Sequence, residues 1–363
     1  MDKYRVGIVG ATGMVGQRFI MLLQHHPWFD ICVLAASSRS AGKSYETAVQ
    51  DRWAANEPIP DPIKHQIVLD AANTESVAAK CDFIFCAVDM DKQETRAMEE
   101  AYAKTETPVV STNSACRFLP DVPMLIPEIN PDHAQVIPTQ RKRLGTQQGF
   151  IVVKPNCSIQ SFVPALTPLR GYGIQSISVC TYQAISGAGK TFASWPEMVD
   201  NVIPYIAGED EKSQEEPLKI WGTIEGGIIQ HASEPVISAQ CLRIAASDGH
   251  MAAVSVKFIQ KPEHSEILHI WESYKPLPVE LGLPNAPDPF LHYFSDPSRP
   301  QTRLDRGYKN GYGVTIGRLR EDTLFDYRFI CLSHNTVRGA AGGSILTAEL
   351  LCRQEYIIRK TDK

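Results

Sequence analysis

A glycine-rich turn near the start of the chain constrains the fold more than any other feature of this sequence. The run Gly7–Gly16 reads GIVGATGMVG and lies between a short apolar strand pattern and an amphipathic helix pattern. In this spacing Gly10 permits a tight turn, Gly13 lets the backbone approach a pyrophosphate, and Gly16 lets the helix pack closely on the strand. The start of the helix also offers free N–H groups and a partial positive charge to phosphates.

This strand–turn–helix context favours a dinucleotide site over a glycine turn with a purely structural role. The predicted cofactor contacts of the loop are Gly10, Thr12, Gly13, Met14 and Val15.

The first third of the chain alternates strand and helix patterns, which is typical of βαβ units with a parallel sheet. The strand patterns are Arg5–Val9, Ile31–Ala36, Phe83–Val88, Pro108–Ser111 and Ile151–Val153, and the helix patterns are Gly13–Gln24 and Gln93–Lys104. The polar, basic segment Thr139–Gly149 is predicted to be an exposed connection.

The pattern changes near Ile174, where long β-rich runs at Ile174–Ala184, Val236–Ala245 and Met251–Ile259 predict an antiparallel or mixed sheet with helices on one side. The acidic stretch Gly208–Glu216 reads as a solvated loop or the beginning of a helix. A last helix pattern, Val337–Tyr356, is expected to return to the first domain. The predicted fold is therefore α/β, with an N-terminal Rossmann-like parallel sheet, a second α+β domain and this returning helix.

Composition narrows the class of protein. A chain of 363 residues with 43% hydrophobic and 21% charged residues is an ordinary globular protein long enough for two domains. A net charge of −5 argues against nucleic acid or an anionic membrane as the main partner. The sequence shows neither a secretory signal nor a run of about 18 apolar residues, so we expect a cytoplasmic protein.

The nine cysteines indicate no metal site. They are scattered without a CxxC pair, which argues against structural zinc and against a thioredoxin-like motif. We expect most of them to be buried free thiols in a reducing compartment. The six predicted to lie in or beside strands are Cys32, Cys81, Cys86, Cys180, Cys241 and Cys331.

The end of the second strand indicates which dinucleotide binds. An NAD site usually carries a carboxylate there for the ribose 2′-hydroxyl, but this strand ends in AASSRS. The hydroxyls of Ser37 and Ser38 and the guanidinium of Arg39 suit a 2′-phosphate. We therefore predict NADP rather than NAD; the alternative is a plain polar loop that contains an arginine.

Cys157 is the candidate nucleophile. It follows a strand and precedes the apolar, helix-like run Ile159–Leu169, and a helix start lowers a thiol pKa. The position of Cys157 alone is equally compatible with a purely structural role. Arg243 and His250 flank a predicted turn between two strands, and His250 is a candidate base for the thiol proton.

Together these segments resemble aspartate-semialdehyde dehydrogenase over nearly the whole chain, most closely its fungal and archaeal branch. Two departures, Ile159 and Ile185, are apolar neighbours of the candidate site. The segments that carry the resemblance are Ser37–Lys43, Asn156–Ser158, Gln183–Gly189, Glu216–Lys219, Arg243 with His250, and Asn335–Ala341.

The resemblance implies reduction of L-aspartyl-4-phosphate to L-aspartate 4-semialdehyde and phosphate by NADPH, through a Cys157 thioester, in threonine, methionine and lysine biosynthesis. It implies a general acid/base at His250 and a substrate-orienting Gln183. It also implies a homodimer or homotetramer, with residues 1–156 and 335–363 binding NADP and residues 157–334 forming the catalytic and dimerisation domain.

Substrate and nicotinamide contacts also come from the resemblance. Arg243 would hold the α-carboxylate and Glu216 the ammonium group; the phosphate would meet Arg117, Lys219 and Asn113. Without the resemblance, Glu216 and Lys219 read as an i,i+3 ion pair on a helix surface. The nicotinamide end would contact Ser186, Gly187 and Asn335, although Asn335 also suits a helix cap.

Three other functions are compatible with parts of the sequence. N-acetyl-glutamyl-phosphate reductase has the same chemistry, but an acylated amine leaves Glu216 without a cation. A reductase of a malonyl thioester needs less of a phosphate clamp than Arg117 and Lys219 provide. A non-catalytic NADP sensor has no reason to combine Cys157 with His250.

Overall fold

The computed structural model describes residues 3–55 and 57–360. Within them, six strands form an all-parallel sheet in the order β3-β2-β1-β4-β5-β6. The carboxyl ends of parallel strands share one edge, so the segments after β1, β5 and β6 meet there. The strands are β1 Tyr4–Val9, β2 Phe29–Ala36, β3 Leu69–Asp70, β4 Phe83–Cys86, β5 Val109–Ser111 and β6 Ile151–Val153.

Seven strands of the described part form a second, mixed sheet in the order β13-β14-β15-β12-β7-β11-β8, and β9 and β10 form a small antiparallel pair. Within the large sheet β11 runs parallel to β7 and β13 parallel to β14, while the other pairs are antiparallel. These strands are β7 Ile174–Gln183, β8 Val202–Ile203, β9 Thr223–Glu225, β10 Ile228–Gln230, β11 Val236–Ile244, β12 His250–Phe258, β13 Leu291–Phe294, β14 Val314–Glu321 and β15 Tyr327–Ser333.

Helices cover the sheets and connect them. The α-helices are α1 Met14–Leu23, α2 Tyr45–Val49, α3 Asp61–Lys64, α4 Thr74–Ala78, α5 Lys92–Lys104, α6 Ile137–Leu144, α7 Val163–Leu166, α8 Glu209–Ile220, α9 His264–Ser273, α10 Leu277–Glu280, α11 Thr302–Asp305 and α12 Gly342–Arg353. The shorter turns are 3-10 helices at Gln50–Arg52, Pro131–Val136, Ser158–Gln160, Thr167–Tyr172, Ile185–Ala188, Pro196–Met198 and Tyr308–Gly311, with a π-helix at Val337–Ala341.

The last helix, α12, packs into the core of the first sheet. Its Ile345 and Leu351 are fully buried in the same apolar cluster as Val6 and Ile8 of β1. Burying both sides of a parallel sheet requires helices on both faces, and every residue of α12 from Ser344 to Cys352 is buried. The predicted α/β fold with a returning C-terminal helix is confirmed.

One local prediction is wrong, and a second is correct in one of its two alternatives. The basic segment Thr139–Gly149 is largely helical, because α6 occupies Ile137–Leu144 and ends at Gly145 in the left-handed conformation. The acidic segment Gly208–Glu216 is the beginning of a helix, since α8 begins at Glu209, and it is not a solvated loop, because Glu209, Ser213 and Glu216 are buried. No described helix is long and apolar enough to cross a membrane.

Candidate active site

Cys157 lies at the carboxyl edge of the first sheet, directly after β6 and the segment Lys154–Asn156. An Asx turn fixes its backbone: the Asn156 Oδ1 atom accepts hydrogen bonds from the Ser158 backbone N–H at 2.8 Å and the Ser158 hydroxyl at 2.9 Å. The predicted helix start is wrong in detail, because one 3-10 turn follows before the four-residue helix Val163–Leu166. So short a helix provides little dipole to acidify a thiol.

The charges around Cys157 come instead from side chains. Burial raises the pKa of the thiol, and the Glu209 carboxylate raises it further. Lys154, Arg117 and Arg243 lower that pKa. The balance of cations and hydration at this half-buried cysteine therefore decides how much thiolate forms.

His250 is the first residue of β12 and is fully buried. Its Nδ1 atom accepts a hydrogen bond from the Ala184 backbone N–H at 3.1 Å, whereas its Nε2 atom has no partner among the described residues. Burial, followed by the charge of Arg243, lowers the pKa of His250 to about 3. The ring is therefore neutral near pH 7 and carries its proton on Nε2.

Arg243 lies beside His250, near the end of β11. Its Nη1 atom donates to the Ala184 carbonyl at 2.8 Å. A Cβ atom on Gly187 would lie 2.8 Å from this Nη1 atom and 3.0 Å from His250 Nε2, so only glycine leaves the space between these groups open. Arg243 and His250 thus converge on one small region bounded by Gly187.

Gln183 and Glu209 form the side of the site nearest α8. The Gln183 Nε2 atom donates to Glu209 Oε2 at 3.0 Å, and Asn156 Nδ2 donates to Glu209 Oε1 at 2.9 Å. Burial opposes ionisation of Glu209, yet Lys212 and these two amides leave its pKa below the ordinary value. Sequence reasoning missed Glu209, because an acidic run on a helix normally marks a solvated face.

Arg117 and Glu216 form a buried ion pair behind Cys157. The Arg117 Nη1 atom lies 2.8 Å from Glu216 Oε1, and the Asn156 backbone N–H donates to Glu216 Oε2 at 2.6 Å. Arg117 also donates to the carbonyls of Lys154 and Thr112. Both oxygens of Glu216 are thus occupied by protein groups, and the residue expected to meet a substrate ammonium is paired with Arg117.

The surroundings of Lys219 fit neither role expected from the sequence, that is, neither a phosphate contact nor a surface ion pair. It is fully buried, and its ammonium donates to the backbone carbonyls of Arg117, Leu119 and Val122 at 2.5, 2.7 and 2.8 Å. An ammonium has three donors, so none remains for a phosphate in this arrangement. The alternative of a surface ion pair with Glu216 is also wrong, since both side chains are buried.

Asn113 follows β5 in the loop that carries Arg117. Its Nδ2 atom donates to Glu99 Oε1 at 3.0 Å, and its backbone N–H donates to the Ser111 hydroxyl at 3.0 Å. Ser111 also donates to Glu99, which is fully buried, and burial raises the pKa of that carboxyl group. Glu99 on α5 therefore supports the loop from behind, a role that its helical position in the sequence does not reveal.

The glycine loop has the geometry that a dinucleotide requires. Gly10 has φ +88°, and a Cβ atom there would lie 2.3 Å from the Ala87 carbonyl oxygen; a Cβ on Gly16 would lie 2.3 Å from the Gly10 carbonyl oxygen. Gly13 is exposed and precedes α1 without a side-chain cap, so the first N–H groups of α1 face open space. The residues present therefore fit a pyrophosphate.

The loop after β2 and the segment after β7 lie on either side of this glycine loop. Ser37, Ser38 and Arg39 are exposed. A cavity of about 170 Å³ separates α1 from the segment that contains Ser186. Asn335 is not a side-chain helix cap: its Nδ2 atom donates to Ser186 Oγ and its Oδ1 atom accepts from the Gly249 N–H, both at 2.8 Å.

Metal ligands are absent from the described residues, which contain no group of three or more His, Cys, Asp or Glu side chains that could hold an ion. The nine cysteines are free thiols. Cys81, Cys86, Cys241 and Cys331 are buried as predicted, while Cys32 and Cys180 are half-buried.

The fold and this geometry define a class of protein, namely an oxidoreductase whose dinucleotide-binding loop and cysteine-centred site follow strands of the same parallel sheet. Residues 5–137 match the family model described as "Semialdehyde dehydrogenase, NAD binding domain", and residues 166–338 match "Semialdehyde dehydrogenase, dimerisation domain".

Relatives and one solved structure match this chain over nearly its whole length. An aspartate-semialdehyde dehydrogenase from Archaeoglobus fulgidus is 42% identical over 98% of this chain and 100% of its own, and one from Aspergillus fumigatus is 39% identical over 98% and 99%. The crystal structure of the Candida albicans enzyme with NADP superposes with a TM-score of 0.88 at 37% identity, covering 98% of this chain and 100% of that one. The chain belongs to the aspartate-semialdehyde dehydrogenase family and is an oxidoreductase of amino-acid biosynthesis.

Proposed function

We propose that this protein reduces L-aspartyl-4-phosphate to L-aspartate 4-semialdehyde and phosphate with NADPH, through a thioester on Cys157. The observation that carries the proposal is the meeting of Arg243 and the unpartnered His250 Nε2 atom at Gly187. Gly187 adjoins Ser186, which lines the cavity beside the glycine loop. The groups proposed to bind the substrate and to donate a proton thus lie next in the chain to a residue that lines the proposed cofactor cavity.

The chemistry follows from these positions. The Cys157 thiolate attacks the acyl carbon, the C–O bond to phosphate breaks, and a thioester remains. NADPH, when bound, supplies the hydride that reduces this thioester. His250, with its proton on Nε2, donates a hydrogen bond to the oxygen that becomes negative in each tetrahedral state.

Recognition of the amino-acid end uses charges of both signs. Arg243 holds the α-carboxylate through the guanidinium donors that remain beside its bond to Ala184. Gln183 orients the acyl group next to Cys157. The ammonium group faces the buried carboxylate of Glu209, which is hydrogen-bonded to Gln183, because both oxygens of Glu216 are bonded to Arg117 and the Asn156 N–H.

The phosphate group is placed on the Arg117 side of Cys157, with Asn113 in the same loop. For the cofactor, the glycine loop binds the pyrophosphate, and Ser37, Ser38 and Arg39 bind the 2′-phosphate. Ser186, Gly187 and Asn335 border the nicotinamide end of the cavity. These assignments are supported by exposure at the 2′-phosphate loop and by the bond between Asn335 and Ser186.

Cys157→Ser tests the proposal directly. We expect phosphate-dependent reduction of NADP by aspartate semialdehyde to vanish, because a serine hydroxyl has no base here strong enough to ionise it, while NADPH binding measured by fluorescence persists. Mass spectrometry of the wild type trapped with substrate should place the acyl group on Cys157. Wild-type turnover in the variant, or an adduct on a different cysteine, would refute the mechanism.

We also propose a cytoplasmic homo-oligomer, a dimer or a tetramer, formed through the open face of the second sheet. Tyr182, Leu242 and Met251 lie side by side in register on β7, β11 and β12, and all three side chains are only half-buried. A row of partly exposed apolar side chains across a sheet favours pairing with a second copy. The dimerisation domain that the family model describes includes all three strands.

We propose that residues 1–156 and 335–363 form the NADP-binding domain. Residues 157–334 form the catalytic and dimerisation domain. The burial of α12 in the same apolar cluster as β1 supports the return of the chain to the first domain. Residues 1, 2, 56 and 361–363 of the first domain lie outside the described residues.

A further inference from the structure

Glu99 is a fully buried carboxyl group on α5. Its hydrogen-bond donors in the described part of the chain are both neutral, namely the Ser111 hydroxyl and the Asn113 side-chain amide. Burying a carboxyl group costs free energy that an apolar side chain on the same helix would not cost. The position therefore calls for a role that needs an acceptor of hydrogen bonds.

Both donors belong to the point where β5 ends. Ser111 is the last residue of that strand, and its hydroxyl donates to Glu99 Oε1. The same hydroxyl accepts the Asn113 backbone N–H at 3.0 Å, while Asn113 Nδ2 donates to Glu99 Oε1 at 3.0 Å. These three hydrogen bonds fix both the backbone and the side chain of Asn113 relative to α5.

The segment that follows, the β5 loop (Thr112–Arg117), lies beside the chain that leads to the nucleophile. Arg117 Nε donates to the Lys154 carbonyl at 3.0 Å, and the Lys154 N–H donates to the Ser111 carbonyl at 2.8 Å. Lys154 is three residues before Cys157. The first four residues of the β5 loop are half-buried, so a small anion can reach them.

The far end of the β5 loop is fixed separately. The buried Lys219 ammonium donates to the carbonyls of Arg117 and Leu119. Two buried side chains of opposite type thus hold the loop: Glu99 accepts hydrogen bonds at its start, and Lys219 donates them at its end. Removing Glu99 should therefore loosen the start of the loop and leave the end in place.

We propose that Glu99 is a positioning residue that fixes the start of the β5 loop for binding the phosphate group beside Cys157. Glu99 touches neither substrate nor cofactor and acts through Ser111 and Asn113. A contact that is already held in its bound geometry costs less entropy when the ligand arrives, so the phosphate benefits from this anchor. The inference rests on the proposed function, which places the phosphate at Asn113.

Glu99→Leu removes the acceptor and tests the inference. The assay is phosphate-dependent reduction of NADP by aspartate semialdehyde, with inorganic phosphate varied. The KM for phosphate should rise about tenfold, since hydrogen bonds to a charged group are lost. The KM values for semialdehyde and NADP should change much less, because Arg243 and the glycine loop are untouched. An unchanged KM for phosphate would overturn the inference.

Glu99→Gln is the conservative variant. Glu99 Oε2 has no hydrogen-bond partner among the described residues, so an amide can direct its oxygen at Ser111 and Asn113 and place its nitrogen at the Oε2 position. We expect a KM for phosphate much nearer to the wild-type value than that of Glu99→Leu. Equal rises in the two variants would indicate an effect of charge and not of positioning, and would contradict the proposed role.

Glu106→Leu is the matched control. The Glu106 carboxylate follows the same helix and also holds a loop, because it accepts the backbone N–H groups of Gln147, Gln148 and Gly149. That loop precedes β6, at the amino edge of the sheet and away from Cys157. Its KM for phosphate should match the wild type. A rise equal to that of Glu99→Leu would show general loosening and defeat the inference.

Ser111→Ala provides a second approach if Glu99→Leu does not fold, as checked by NADPH binding and the thermal midpoint. It removes the hydroxyl that donates to Glu99 and accepts from Asn113. The same selective rise in the KM for phosphate is expected. A folded Ser111→Ala variant with the wild-type constant would count against the anchor.

A measurement without turnover separates this inference from the proposed function. Inorganic phosphate should slow the alkylation of Cys157 by iodoacetamide, read from its peptide by mass spectrometry, and Glu99→Leu should need about tenfold more phosphate for the same protection. This result with a wild type inactive on aspartate semialdehyde would support the anchor and reject the substrate. An active wild type whose phosphate protection is unchanged in Glu99→Leu would reject the anchor alone.

Discussion

At the scale of single residues, the site is an arrangement of buried charges whose partners are only partly within the protein. Arg117 and Glu216 satisfy each other, and Lys219 is satisfied by backbone carbonyls. Arg243 and Lys154 retain donors that have no acceptor in the described part of the chain. Groups that are buried yet incompletely paired are the ones expected to receive an anionic substrate.

Arg243→Lys tests the residue assigned to the α-carboxylate. A lysine keeps the charge but cannot form a bidentate pair with a carboxylate. A hydrogen bond to a charged group contributes about 1.5–3 kcal/mol, so losing one should raise the KM for aspartate semialdehyde roughly tenfold or more.

Steady-state kinetics with semialdehyde varied at saturating phosphate and NADP measure this constant. The KM for NADP should change much less, because a lysine at position 243 keeps a donor for the Ala184 carbonyl and the glycine loop is unaltered. An unchanged KM for semialdehyde would show that Arg243 does not hold the carboxylate.

At the scale of elements, the C-terminal segment Val337–Arg353 covers the nucleophile. Gly339 lies so close to Cys157 that any side chain there would displace one of the two. The irregular π-helix before α12, with Ala340 outside helical geometry, brings this glycine against the sulfur-bearing residue. Such π-turns frequently occur at functional sites.

Gly339→Ala should therefore impair catalysis more than folding. Overpacking by one methyl group costs about 1–3 kcal/mol, and here the atoms displaced are those of the nucleophile, so kcat should fall at least roughly tenfold. Gly171→Ala is the control, because a Cβ atom at Gly171 meets nothing within 4 Å. Equal kcat values for the two variants would indicate that the helix does not constrain Cys157.

The elements also show what sequence reasoning can and cannot reach. The βαβ alternation and the glycine loop were predictable because local periodicity and backbone sterics fix them. The structure of the segment after Cys157 was not predicted correctly. Its apolar run looks like one continuous helix, but Pro164 and Pro168 divide it into short turns.

The partners of individual site residues were equally beyond local reasoning. Lys219 meets carbonyls about a hundred residues away in sequence, and Glu99 supports Asn113 from a different element. Cys157, His250 and Arg243 were found through the resemblance and their order in the chain. Glu209 and Lys154 had no comparable signal, since their importance depends on burial that only the folded chain reveals.

At the scale of the whole molecule, the catalytic groups and the open sheet face belong to the same strands. Gln183 and Tyr182 are neighbours on β7, and Arg243 and Leu242 are neighbours on β11. Successive side chains of a strand point to opposite faces, so one member of each pair faces the site and the other the open surface. Association through that surface would therefore stiffen the strands that position the substrate.

Leu242→Asp should dissociate the oligomer. A carboxylate placed in an apolar interface loses its hydration without gaining a partner, so the elution mass should fall toward the 40.2 kDa of one chain. Ile67→Asp, at a residue of the first domain that is 54% exposed, is the matched control. Light scattering coupled to size-exclusion chromatography distinguishes the two; a wild type that already elutes at the mass of one chain would contradict the proposed interface.

The return of α12 to the first sheet has a consequence for synthesis on the ribosome. The strands that surround the glycine loop are made early, but the apolar surface that Ile345 and Leu351 cover stays open until α12 has been translated. Gly339, which lies against Cys157, emerges just before that helix. A nascent chain is therefore exposed to aggregation from the synthesis of the first strands until α12 leaves the ribosome, and its active site is completed only then.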